Sequence, residues 1–239
     1  MSAVQMDATK RIRIALLPGL HGTDALFRSL VNLCPPEIEL ITLSYPTNEL
    51  RSYESLTEMI LEKLDGDQSN LILLGESFSG PLALFVASRK PKGLVGVILA
   101  ASFVLPPRRG WAKWLPWEIG CRFAKPVYGL RSLVSRRYAA VIQGIYEELH
   151  KVSPSVLADR IRSTLAVDAT IALKECPVPI LYIAAARDII VCKSSLKKIL
   201  AIREDVTVRT IDAPHFIVPS APADVWSAIV PFINSCRAA

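Results

Sequence analysis

No stretch of this chain approaches the roughly 20 uninterrupted apolar residues that span a bilayer, because Arg, Lys, Pro or Asp cuts every candidate run. An integral membrane protein is therefore not expected. The first ten residues, MSAVQMDATK, have neither the basic start nor the long apolar core of a secretory signal, and a cytoplasmic location is expected. Cysteine is scarce and irregular: Cys34, Cys121, Cys176, Cys192 and Cys236 are odd in number, widely scattered and contain no CxxC. The only histidines are His21, His150 and His215, too far apart for the paired spacing of a zinc site. Metal ions and organic cofactors are not expected. Internal repeats and low-complexity tracts are absent as well. With 51% apolar and 21% charged residues over 239 positions, the chain has the composition of one globular domain, with room for an inserted subdomain.

What is present is an uneven charge. Residues 1–105 hold 9 basic and 11 acidic side chains, 106–170 hold 11 and 5, and 171–239 hold 8 and 6. The excess of six in the middle segment equals the whole net charge of +6. That segment also breaks the pattern of its flanks. Before it, β-branched and Leu-rich runs at 11–17, 38–44, 70–74 and 94–100 alternate with helical periodicity, notably Tyr53 to Leu64 with Leu56, Met59, Ile60 and Leu64 on one face. After it, 178–185 and 206–211 read as strands, and 193–201 and 221–234 as helices. Continuous apolar strands alternating with helices predict an α/β fold with a mostly parallel sheet of about six strands. Residues 1–103 and 170–239 form its core in this reading, and 104–169 an inserted, basic helical cap.

The densest chemical signal is Gly75-Glu76-Ser77-Phe78-Ser79-Gly80, between an apolar strand and a helix. A serine on a tight strand-to-helix turn projects its hydroxyl from the sheet edge, and small neighbours are needed because strand and helix approach closely. Ser79 occupies a position where glycine is usual; serine is small enough to be tolerated. Such a nucleophile needs a base. His215 lies on a short loop between the last strand and the last helix, at the same predicted sheet edge, whereas His150 sits beside Glu147 and Glu148 on a solvated helix end. Asp188 ends the strand before His215 and emerges at that edge, where it would hold the imidazole. Asp212, nearer in sequence, is read as fixing the loop. The glycine-bearing loop after the first strand, residues 17–24, places the backbone N–H of Leu20 as one oxyanion donor, with that of Phe78 as the other.

These marks, Pro18 to Thr23, Gly75 to Gly80, Ala186-Arg187-Asp188 and Ala213-Pro214-His215, resemble the α/β-hydrolase superfamily in order and spacing over nearly the whole chain. They are most similar to small serine esterases. The departures are Pro18-Gly19 where many members have His-Gly, and Ser79. The chain resembles a minimal member lacking the first two strands of an eight-stranded sheet. The resemblance implies a serine carboxylic-ester hydrolase acting on a small-molecule ester of small or medium acyl length, with catalytic Ser77, Asp188 and His215. Relatives that open epoxides or displace halide carry Asp where Ser77 stands. Hydroxynitrile lyases use the same triad, and some proteins of this fold bind ligands without turnover.

Substrate choice falls to the cap. Trp111, Trp114 and Trp117 lie among Arg108, Arg109 and Lys113, with Arg122, Lys125, Arg131, Arg136 and Arg137 following. The plain reading is an acyl pocket lined by the tryptophans and rimmed by solvated arginines, with Arg131, Arg136 and Arg137 near the substrate entrance. The same composition suits an anionic membrane surface. It also suits an acidic acyl carrier protein, as in the biotin-pathway esterases that cleave pimeloyl-carrier-protein methyl ester, which this architecture resembles. No nucleic-acid motif is present.

Overall fold

The computed structural model describes residues 11–66, 70–107 and 138–238. Its centre is a six-stranded, wholly parallel sheet: β1 (Ile12–Leu17), β2 (Ile38–Thr42), β3 (Asn70–Glu76), β4 (Leu94–Ala100), β5 (Ile180–Ala185) and β6 (Thr207–Ile211), in the order β2-β1-β3-β4-β5-β6. The alternation seen in the sequence is this sheet. Helices α1 (Arg28–Asn32), α2 (Tyr53–Leu64) and α3 (Ser79–Ser88) precede β4. Then come α4 (Ala139–His150), α5 (Pro154–Ala166), α6 (Thr170–Lys174), α7 (Lys193–Ile202), α8 (Ile217–Ser220) and α9 (Pro222–Ala238).

The apolar runs are continuous because both faces of the sheet are covered. Alternate residues feed two separate cores. Ile12, Ile14, Leu16, Ile72, Leu74, Ile98, Leu181 and Ile183 pack under α8 and α9, with Val225, Ile229 and Phe232. Ala15, Leu17, Leu71, Leu73, Val97, Leu99, Ile180 and Tyr182 pack on the other side with Leu56 and Ile60 of α2 and Leu82 and Val86 of α3. Every residue of β3 and β4 is buried, whereas the edge strand β6 exposes Thr207, Arg209 and Thr210 and buries only Ile211. Ser52 caps α2 by accepting the Ser55 N–H.

Two boundaries differ from the periodicity. The helix after β3 begins at Ser79, two residues ahead of Pro81. The closing helix expected to end near Asn234 runs to Ala238, past an internal Pro231. The chain leaves the sheet after β4 and returns where the Ala169 N–H donates to the Val104 carbonyl at 2.8 Å. Between these points α4 and α5 lie near the carboxyl ends of the strands, against the loop after β1. Trp111, Trp114, Trp117, Arg131, Arg136 and Arg137 lie outside the described residues. No described helix is long and apolar enough to cross a membrane.

Candidate active site

The strand order changes direction between β1 and β3, so their carboxyl ends open a crevice, the usual ligand position in such sheets. Ser77 sits there at φ 51°, left-handed backbone that a non-glycine residue adopts only when its surroundings enforce it. Those surroundings are specific. The Ser77 N–H donates to Ala100 O at 2.9 Å, and its carbonyl accepts from Ser102 Oγ at 2.6 Å and from the Gly80 N–H at 3.1 Å. A Cβ on Gly75 would lie 2.2 Å from Ser79 O, and one on Gly80 would lie 1.8 Å from Ser102 Oγ. Both positions exclude any larger residue.

Position 79 has a different duty. Ser79 Oγ donates to the Pro18 carbonyl and pairs with the Tyr45 hydroxyl at 2.8 Å, tying the start of α3 to the loop after β1. The serine that departs from the usual glycine is thus a structural tether, with steric tolerance only part of its explanation.

Across the crevice, the loops after β5 and β6 deliver the expected partners. Ser77 Oγ lies 2.8 Å from His215 Nε2, and His215 Nδ1 lies 2.8 Å from Asp188 Oδ2. The imidazole and carboxylate side chains are 5% and 8% exposed. Asp188 Oδ1 accepts the N–H groups of Ile190 and Val191, both at 2.8 Å, which fixes the carboxylate's orientation. Asp212 is turned elsewhere, paired with Arg187 Nε at 2.8 Å. His150 is exposed, with Nδ1 2.8 Å from Tyr146 O.

Leu20 and Phe78 both border the cavity beside Ser77. Among the described residues, neither of their N–H groups donates to a backbone acceptor. Phe78 is held by stacking on Tyr53, ring centroids 4.8 Å apart, and by the Tyr53 hydroxyl on its carbonyl at 2.9 Å. The cavity measures about 370 Å³, and its far walls are Phe103, Ile145, Leu149, Ile161, Leu165 and Val191. No Lys or Arg lines it among the described residues.

Two buried titratable groups border the same space. Burial pushes the Glu76 carboxyl up to about 7, although His215 and the Val218 N–H favour its ionised form. Burial holds His21 down to about 4, against the attraction of Glu148 and with the repulsion of Arg160. The Thr23 N–H donates to His21 Nδ1 at 3.1 Å, so the neutral ring carries its proton on Nε2. Thr23 Oγ1 in turn donates to Glu148 Oε2 of α4 at 2.7 Å.

Taken together, a hydroxyl, an imidazole and a carboxylate form one hydrogen-bonded chain at the mouth of an apolar cavity. This arrangement can deprotonate the hydroxyl for attack on an electrophilic carbon. The fold is that of the α/β-hydrolases. Solved structures sharing it include the enol-lactonase from Burkholderia xenovorans LB400, with a TM-score of 0.78, 15% identity, and 96% of this chain and 94% of that one covered. A carboxylesterase of the thaumarchaeon Nitrososphaera gargenis gives 0.77 at 13% identity, covering 97% and 93%. MenH from S. aureus gives 0.76 at 14%, covering 98% and 97%. No family model and no curated protein matches the chain. Within the α/β-hydrolase fold, the residues that periodicity and motif spacing missed are Glu76 and Arg160. Glu76 stood in view beside Ser77, but only its burial marks it. Arg160 was one of eleven basic residues in 106–170 until the fold buried it at 2% exposure.

Proposed function

We propose that the protein is a serine carboxylic-ester hydrolase that works through an acyl-enzyme. The reading rests on one observation: the Ser77, His215, Asp188 chain, with both hydrogen bonds at 2.8 Å and the serine held at a positive φ on the cavity wall. Ser77 Oγ attacks the ester carbonyl while His215 Nε2 takes its proton. Asp188 holds the ring with Nδ1–H toward itself and stabilises the imidazolium. The N–H groups of Leu20 and Phe78 stabilise the tetrahedral oxyanion, each donor worth about 10² to 10³ in rate. The amino end of α3 adds favourable potential behind Ser77. The imidazolium then protonates the leaving alcohol, and water attacks the acyl-enzyme by the same steps in reverse.

The nearly all-apolar cavity supports an uncharged acyl or aryl group of small to medium size as the acyl portion. That two solved neighbours are called an enol-lactonase and a carboxylesterase is consistent with ester chemistry on this fold. The preponderance of basic residues in 106–170 makes an ester carried on an acidic acyl carrier protein the second substrate to assay, at two salt concentrations. The decisive experiment uses p-nitrophenyl esters of increasing acyl length together with a fluorophosphonate probe. Ser77→Ala is expected to abolish both turnover and labelling. Turnover at the wild-type level in that variant would refute the reading. A wild-type protein that takes no label would instead be a ligand-binding protein.

A further inference from the structure

The loop after β1 is held with unusual completeness. Its three successive carbonyls each have an assigned donor. Pro18 O accepts Ser79 Oγ, Gly19 O accepts the Gly22 N–H at 2.9 Å, and Leu20 O accepts Arg160 Nη1 at 2.9 Å. A trans peptide is planar, so fixing a carbonyl fixes the N–H on its other side. The bond to Gly19 O therefore aims the Leu20 N–H, and the bond to Leu20 O stops the following peptide from turning it away.

Arg160 reaches this loop from α5, in the segment between β4 and β5. Its guanidinium is buried, it spends Nη2 on Pro46 O at 2.8 Å, and it lies 5.7 Å from the centroid of the Tyr45 ring. The loop has been shaped around it. Gly22 sits at φ 72°, and a Cβ there would come within 2.4 Å of Arg160 Nη1. A charge-assisted hydrogen bond to a carbonyl is roughly twice as strong as a neutral one, enough to hold one loop conformation against its alternatives.

We propose that Arg160 is a positioning residue for the reaction: by fixing the Leu20–His21 peptide it holds the loop conformation in which the preceding Leu20 N–H faces the oxyanion. The inference rests on the hydrolase reading above. It gives the helical segment a part in transition-state stabilisation as well as in enclosing the cavity. Arg160 touches no reacting atom; its effect is carried by the backbone it clamps.

The test compares wild type with Arg160→Met and Arg160→Lys. It measures kcat and KM for p-nitrophenyl butyrate, inhibition by an aryl trifluoromethyl ketone, and the urea midpoint. The ketone adds Ser77 Oγ to its carbonyl carbon and so presents an oxyanion, which the ground-state ester does not. Arg160→Met is expected to lower kcat by about 10- to 100-fold with KM changed by less than about threefold, a misplaced donor costing less than a missing one. The inhibition constant for the ketone should weaken in step with kcat/KM. Arg160→Lys, with one point donor for two carbonyls, should recover part of both. If Arg160→Met does not fold, the lysine variant carries the same comparison. A folded variant with unchanged kcat, or one whose kcat falls while ketone affinity is unchanged, overturns the proposal. Either result leaves the hydrolase reading intact as long as Ser77→Ala is inactive; an active Ser77→Ala sinks that reading first.

Discussion

Replacing Glu76 by Gln should make the protein more stable at alkaline pH and leave it little changed in acid. Glu76 is 3% exposed on the fully buried strand β3, and its Oε1 has no hydrogen-bond partner. The Val218 N–H favours the ionised form but does not offset the cost of burial. Burial raises the carboxyl from 4.5 to about 7, so the native state holds this proton more tightly than the unfolded chain does. Below pH 4.5 both states are protonated and the wild type carries no penalty. As pH rises from 4.5 to 7 the unfolded state ionises first, and wild-type stability falls relative to the variant. Above 7 the deficit is complete, at about 3 kcal/mol by proton linkage. The gap at pH 5 should be only about 1 kcal/mol. For a chain of this size the full gap corresponds to a Tm raised by roughly 6–12 °C at pH 8. Urea melts of both proteins from pH 4.5 to 8 isolate this group, because every other titrating residue is common to the pair. A variant no more stable than wild type at pH 8, or a gap that does not shrink toward pH 5, would refute the assignment of Glu76 as a buried, poorly compensated carboxylate.

The remaining expectations concern the neighbouring groups. Asp188→Asn retains an acceptor for the Ile190 and Val191 N–H groups but presents the wrong partner to His215 Nδ1, and kcat should drop by about 10³- to 10⁴-fold with the fold intact by circular dichroism. His21 shows the opposite linkage to Glu76. Its native pKa of about 4 lies below the usual 6.5, so its stabilising contribution is complete above pH 6.5 and is lost as pH falls toward 4. His21→Asn, which can still accept the Thr23 N–H, should therefore gain about 2–3 kcal/mol relative to wild type between pH 7 and pH 4.5, read from paired urea melts.

The parts of this protein that were legible in the sequence share a cause. Strands β1, β3, β4 and β5 are covered on both faces, so each is a dense apolar run, broken in β1 only by Arg13 and bounded in β3 by Asn70 and Glu76, that stands out against polar connections. The juxtaposition of Ser77, Asp188 and His215 was legible because Ser77 and Asp188 follow such runs and His215 follows the shorter edge strand β6, and a parallel sheet brings those ends to one edge. Arg160 and Ser79 were not legible in the same way. Their partners are backbone carbonyls 140 and 61 residues distant, and a carbonyl carries no sequence identity. Glu76 was equally silent, since an acidic residue beside Ser77 reads the same in sequence whether it is solvated or buried.

The His215 to Ser77 hydrogen bond spans 138 residues and closes through β6, an edge strand that pairs only with β5. During synthesis Ser77 and the strand-to-helix turn that carries it emerge long before His215. The nascent chain should therefore carry a completed sheet centre but no Ser77–His215 pair until its last strand docks. Onset of fluorophosphonate labelling would then serve as a clock for the final step of folding, silent for every species in which the edge strand has not yet been added.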